Sequence, residues 1–194
     1  MKLFATLFLS AVTTASLFAA SIPRCDITGM GKDGKVKLTP GKVEGGLRVS
    51  TQNWGAEETR PYRLTAAGKA VGAEWTLCKL VFTPENSGAV VVSLCGQSAK
   101  KVEDRNWLTV SKLSINGTPV SNADMKKAVD RKGKLIPNGF WFSRNPVYVA
   151  DGGPDGAAGV TVNHDNRLCR TIKVEAGKPV TIEFMAKAAP APAE

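Results

Sequence analysis

The sequence predicts an all-β sandwich, and three observations carry that expectation. Apolar residues recur with a period of two, as in Ile172 and Val174 and again in Val180, Ile182 and Phe184, which marks half-buried strands. Glycine, proline and asparagine punctuate these segments, as in Pro84-Glu85-Asn86-Ser87-Gly88 and Asn116-Gly117, and such clusters are turn chemistry. A helical signature occurs in one short segment, and neither an internal repeat nor a second domain boundary is visible. Many short strands separated by turns describe one layered β domain.

In chain order, the first segment stands outside that fold. Lys2 supplies a positive start, Leu3 to Phe18 a mostly apolar stretch, and Ala19-Ala20-Ser21 small residues at a cleavage site. Residues 1–21 therefore read as a secretory signal peptide of bacterial type, and the mature chain is expected to be secreted or periplasmic. Cys25 follows Pro23-Arg24, not the small residues that lipid attachment requires. No other long apolar run remains, so no stable membrane insertion is expected after cleavage. The domain proper spans residues 22–187, and residues 188–194 form a flexible Pro/Ala tail.

Within the domain, "GLRVS" is a short strand around Leu47 and Val49. "EWTLCKLVFTPENSGAVVVSLCG" reads as a hairpin with arms rich in β-branched and large apolar residues. "NWLTVSKLSING" is a further strand whose alternation breaks near Ser111-Lys112, the signature of a bulge. Ser121-Asn122-Ala123-Asp124 resembles a capped helix start, and "MKKAVDRK" continues it to Gly133. This predicts one short, basic connector helix. "AGVTVNHD" supplies another strand, and "RTIKVEAGKPVTIEFMAKA" reads as a closing hairpin, with Gly177 free to take a positive φ. Neither half has enough strands to cover both its faces. Trp107–Ile115 and Val180–Ala186 are thus expected in one continuous core.

The formal charge is +9, with basic clusters at Lys32 to Lys42, Lys100-Lys101 and Lys126 to Lys134. For an exported chain this sign fits sulfated or carboxylated polysaccharide, mucin glycans or an anionic envelope better than nucleic acid. Solubility alone is the plainer explanation. Cys25, Cys78, Cys95 and Cys169 form an even set, which in an exported chain predicts at least one disulfide. Three connectivities are open. If Phe82 opposes Val90, Cys78 and Cys95 point to opposite faces, leaving Cys25 to find a distant partner such as Cys169. One histidine and no C-x-x-C spacing argue against zinc.

The segment from Glu74 to Gly96, followed by "WLTVSKLSING", resembles the late half of jelly-roll carbohydrate-binding modules of the four/nine type, within the galactose-binding-like fold. Their early half is similar to "LIPNGFWFS" through "GVTVNHDNRLCRTIKVEAGKPVTIEFMAKA". The likeness covers most of Leu47 to Lys187, but the late half comes first. The resemblance thus implies a circularly permuted jelly roll; the competing explanation is that any β-sandwich uses such hairpins.

Catalysis requires paired carboxylates or a nucleophile with its base in a cleft. Glu57-Glu58, Asp151, Asp155 and Glu183 are scattered, and His164 sits in no motif, so the chain reads as a non-enzyme. Sugar binding instead needs an exposed aromatic beside amides and guanidinium groups. Trp75, in an alternating strand, and Trp141, which looks like the family's structural tryptophan, are assigned to the core. Trp54 lies in a polar loop with Asn53, Arg60 and Tyr62, while Trp107 follows Arg105-Asn106. Trp54, Tyr62, Arg60, Trp107 and Asn53 are therefore the candidate ligand-binding residues. Asp151 and Asp155 in "DGGPDGAAG" are candidate ligands for a structural calcium ion, which many modules of the resembled family carry; two solvated aspartates are the alternative. The expected function is non-catalytic carbohydrate binding, with an acidic or sulfated glycan as the partner fitting the charge. The alternative is a structural or adhesive envelope module making protein–protein contacts.

Overall fold

The computed structural model of the chain describes residues 21–30, 36–40, 48–50, 62–101 and 104–193. The all-β sandwich is what forms. One sheet has the order β11 (Trp141–Ser143), β14 (Arg167–Val174), β6 (Gly88–Gly96), β1 (Pro23–Met30), β4 (Arg63–Ala67), β3 (Arg48–Ser50). The other runs β12 (Val147–Val149), β13 (Gly159–Val162), β7 (Trp107–Ile115), β15 (Val180–Ala189), β5 (Thr76–Pro84), β2 (Leu38–Pro40), with β8 (Thr118–Pro119) also on β7. Ile27, Leu64, Val92, Leu94 and Leu168 from the first sheet meet Leu80, Phe82, Leu108, Ile182 and Phe184 from the second in one buried cluster. β7 pairs directly with β15, so the two halves share a single core as their strand counts require.

Both segments read as hairpins are instead crossings between sheets. β5 pairs with β15 and β2, while β6 pairs with β1 and β14. Likewise β14 and β15 belong to opposite sheets. Each arm has one apolar face, and folding one over the other places those faces together, whereas a hairpin would leave them side by side. The two crossing loops lock to each other: Ala176 N donates to Ser87 Oγ at 2.9 Å, and Gly177 N to the Pro84 carbonyl at 2.7 Å. Gly177 takes the expected positive φ, 71°. The bulge in β7 also forms, with Lys112 at φ 52° opposite a register shift between Glu183 and Met185.

The expected helix does not form. Asn122 and Met125 adopt left-handed backbone, φ 58° and 57°, and the Asn122 amide clamps the chain into a loop. Its Oδ1 accepts from Lys127 N at 2.9 Å and its Nδ2 donates to the Lys127 carbonyl at 2.9 Å. Asparagine's short amide competes with the helical ladder in this way. The chain continues as a separate hairpin of β9 (Ala128–Arg131) and β10 (Lys134–Pro137). Two tryptophans also depart from expectation. Trp141 is 40% exposed on an edge strand, and Trp75 is half-buried beneath the Lys187 ammonium, 4.8 Å from the ring centre.

The expected disulfide is absent, and all four cysteines are free and buried. Sheet geometry gives the reason. Cys25 packs in the inter-sheet core beside Ile27, whereas Cys169 lies on the other face of the same sheet, its Sγ 3.4 Å from Ser93 Oγ. Cys78 faces the core from the second sheet, whereas Cys95, opposite Arg24, lies on the outer face of the first. Burial pushes the Cys78 and Cys95 thiols up to about 12, so little reactive thiolate exists at neutral pH. Thiol titration of the denatured, unreduced protein should find four thiols, with little reaction before unfolding. A count of two or none would reject this arrangement.

Candidate functional site

β1 alternates strictly. Cys25 and Ile27 enter the core, which turns Arg24, Asp26 and Thr28 onto the opposite face of the sheet. There Thr65, Asp26, Ser93, Cys169 and Trp141 stand opposite one another across β4, β1, β6, β14 and β11. Arg24 and Asp26, two residues apart, form a bidentate pair: Nε donates to Oδ1 and Nη2 to Oδ2, both at 2.7 Å. Arg167 reaches Asp26 from β14, on the far side of β6, and its Nη1 donates to Oδ2 at 2.9 Å. Ser93 and Cys95 on the intervening strand are small enough for the arginine chains to fold over them.

His164 completes the group. Its carbonyl accepts from Arg167 Nε at 2.8 Å, and Arg24 Nη1 lies 3.3 Å from its Nδ1. A guanidinium only donates, so Nδ1 is the acceptor and the neutral ring carries its proton on Nε2. Burial, then the charges of Arg24, Arg167 and Arg105, hold this imidazole below its ordinary pKa. Although burial opposes its charge, the Asp26 carboxylate holds Arg24 above its ordinary value. The loop bearing His164 is fixed by Asn163, whose Oδ1 accepts from Asp165 N at 3.0 Å and Asn166 N at 2.9 Å. Asp165 in turn pairs with Arg105 and, at 3.5 Å, with Arg144.

Over this cluster lies a cavity of about 290 Å³ walled by Arg24, Asp26, His164 and Arg167, with Thr28, Arg63 and Thr65 also lining it. Three guanidinium groups face one carboxylate, which leaves a surplus of two positive charges when His164 is neutral. The two threonines add hydroxyl groups. Chemically, this arrangement suits an anionic group flanked by hydroxyls, because arginine presents forked donors to a carboxylate or sulfate. Among the described lining residues Asp26 is the one carboxylate, and guanidinium groups occupy both its oxygens.

The residues that the sequence nominates are distributed differently. Asn53, Trp54 and Arg60 lie outside the described residues. Tyr62 is half-buried next to Arg63 of the cavity, at the start of β4. Trp107 opens β7 in the other sheet, its carbonyl accepting from Ser21 Oγ at 2.9 Å, so Tyr62 adjoins one sheet and Trp107 lies in the other. Asp151 and Asp155 are both exposed, and the Asp155 carboxylate is engaged by Lys112. No group of three or more His, Cys, Asp or Glu side chains placed to hold a metal occurs among the described residues. Sequence reasoning does not point to Arg24, Asp26 or Arg167, and it leaves His164 outside any motif. One signal was present: in "RCDIT" polar and apolar residues alternate, which marks a strand presenting Arg24, Asp26 and Thr28 on one face. Comparison with protein-family models, with curated proteins and with solved structures finds no match to this chain.

Proposed function

We propose that this protein is an exported, non-catalytic module that binds an acidic carbohydrate, with the Arg24–Asp26–Arg167–His164 cavity as its site. The carrying observation is the excess of guanidinium groups around a cavity of saccharide size, flanked by the Thr28 and Thr65 hydroxyls. A uronate carboxylate or sugar sulfate takes the guanidinium donors, while the threonines orient sugar hydroxyls and Asp26 holds Arg24 and Arg167 in place. Asp26 is held by Arg24 and Arg167 and is the one carboxylate among the described residues lining the cavity, which favours binding over hydrolysis. The alternation of β5, β6 and β7, and of β13, β14 and β15, between the two sheets is compatible with the jelly-roll resemblance and its permuted order.

The test is calorimetric titration with acidic and neutral oligosaccharides. Arg63 is exposed, so Arg63→Ala should leave the melting temperature within a degree or so, roughly the effect of an ordinary surface substitution. It should weaken binding of the acidic oligosaccharide about tenfold, the loss of one charge-assisted contact. Equal affinity for acidic and neutral sugars, or an unchanged affinity in Arg63→Ala, would reject the site.

A further inference from the structure

In the β9–β10 hairpin every residue from Val129 to Leu135 is exposed. Its two-residue turn, Lys132-Gly133, has φ values of 57° and 78°, the pattern of a type I′ turn. Such a turn favours asparagine at its first position. The same molecule uses that favoured pair elsewhere: Asn116-Gly117, between β7 and β8, has φ values of 51° and 73°. At the tip of β9–β10 a lysine occupies the left-handed position instead, a conformation that disfavours its side chain.

A second unfavourable feature lies beside it. Arg131 and Lys134 are direct cross-strand partners, and like charges so placed repel. The nearby acid does not relieve this fully, because Asp130 Oδ1 accepts from Gly133 N at 2.8 Å and faces Leu135 across the strands. Lys134 Nζ donates to the neutral amide of Asn145. Lys126 and Lys127, both exposed, extend the positive field at the base. A polyanion laid across the tip relieves the repelling pair, and the lysine at the apex, held there against its backbone preference, adds a third cation to the same contact.

We propose that β9–β10 is a docking finger for a sulfated polysaccharide. The order of its side chains favours a polymer over a bilayer. The cations stand at the apex, and the exposed apolar residues, Val129 and Leu135, sit behind them on opposite faces; interfacial insertion needs apolar groups to lead. This site shares no residue with the Arg24–Asp26 cavity and stands without it.

Heparin is a suitable probe, measured by affinity chromatography and by titration at several salt concentrations. Lys132→Asn restores the favoured turn residue while removing the apical charge, so it should hold or raise the melting temperature and still weaken heparin binding. Combined with Arg131→Ser and Lys134→Ser, it should lower affinity roughly tenfold or more and flatten the salt dependence. Lys178→Asn, on the β14–β15 loop, changes net charge as much as Lys132→Asn and should have little effect. Heparin binding that ignores the finger variants, or that falls equally in Lys178→Asn, overturns the proposal. So does finger-dependent binding to phosphatidylglycerol vesicles that exceeds binding to heparin. Loss of heparin binding in Arg63→Ala alone would instead place the polymer in the cavity.

Discussion

Asp26→Ala should destabilise the protein by about 3–5 kcal/mol, because it strands buried charge. Arg24 is only 6% exposed, and its guanidinium is satisfied chiefly by both Asp26 oxygens. Arg167 would lose its contact to the same carboxylate. For a domain of this size the melting temperature should fall on the order of 10 °C, with urea unfolding giving the free energy directly. Replacing both partners, Arg24→Met with Asp26→Leu, should recover much of the loss, since no unpaired buried charge remains at position 24. A single substitution costing under about 1 kcal/mol would mean that water already solvates the pair. The double variant should also lose acidic-sugar binding while staying folded, which separates the site's recognition role from its structural one.

Phe184→Ala should cost a similar amount, about 3–5 kcal/mol. Phe184 is fully buried on β15 opposite Cys78 and belongs to the cluster that joins the two sheets, so truncation leaves a cavity between rigid layers. The tryptophans that the sequence assigns to the core should behave otherwise. Trp141→Ala should stay within about 0.5 kcal/mol, as exposed positions do. Trp75→Ala should cost on the order of 1 kcal/mol, the scale of its contact with Lys187. Urea unfolding of the three variants in parallel checks the ranking; Trp141→Ala matching Phe184→Ala would contradict the placement of that edge strand.

Period-two patterning marks β5, β14 and β15, each with one face more buried than the other, whereas β6 and β13 are buried on both faces and show through β-branched residues between turns; the bulge at Lys112 in β7 shows as a break in the alternation. Partnership was not legible. The turns at Pro84–Gly88 and Glu175–Pro179 have the same local chemistry whether the arms pair or cross over, and only the packing of their apolar faces decides. The cysteines failed for the same reason, since facing depends on the sheet to which a strand belongs. The helix reading failed at Asn122, whose amide serves a cap and a loop clamp equally well. The cavity is not legible in the sequence because Arg24 and Asp26 meet His164 and Arg167 across β6, an association between segments far apart in the chain. Even so, the alternation in "RCDIT" was enough to have placed β1.

The two ends of the described domain meet at one place. Ser21 bridges to Val71 and donates to the Trp107 carbonyl, while Ala188 N donates to the Gly72 carbonyl at 2.7 Å and Ala189 pairs with Trp107. This has a mechanical consequence. Tension applied between Ser21 and Ala189 acts at a single pole, where β1 and β15 each terminate against their neighbours. The strands then peel away one rung at a time, with no stack of rungs resisting together in shear. The domain should yield at low force and re-form when slack, behaving as a releasable joint in whatever it tethers.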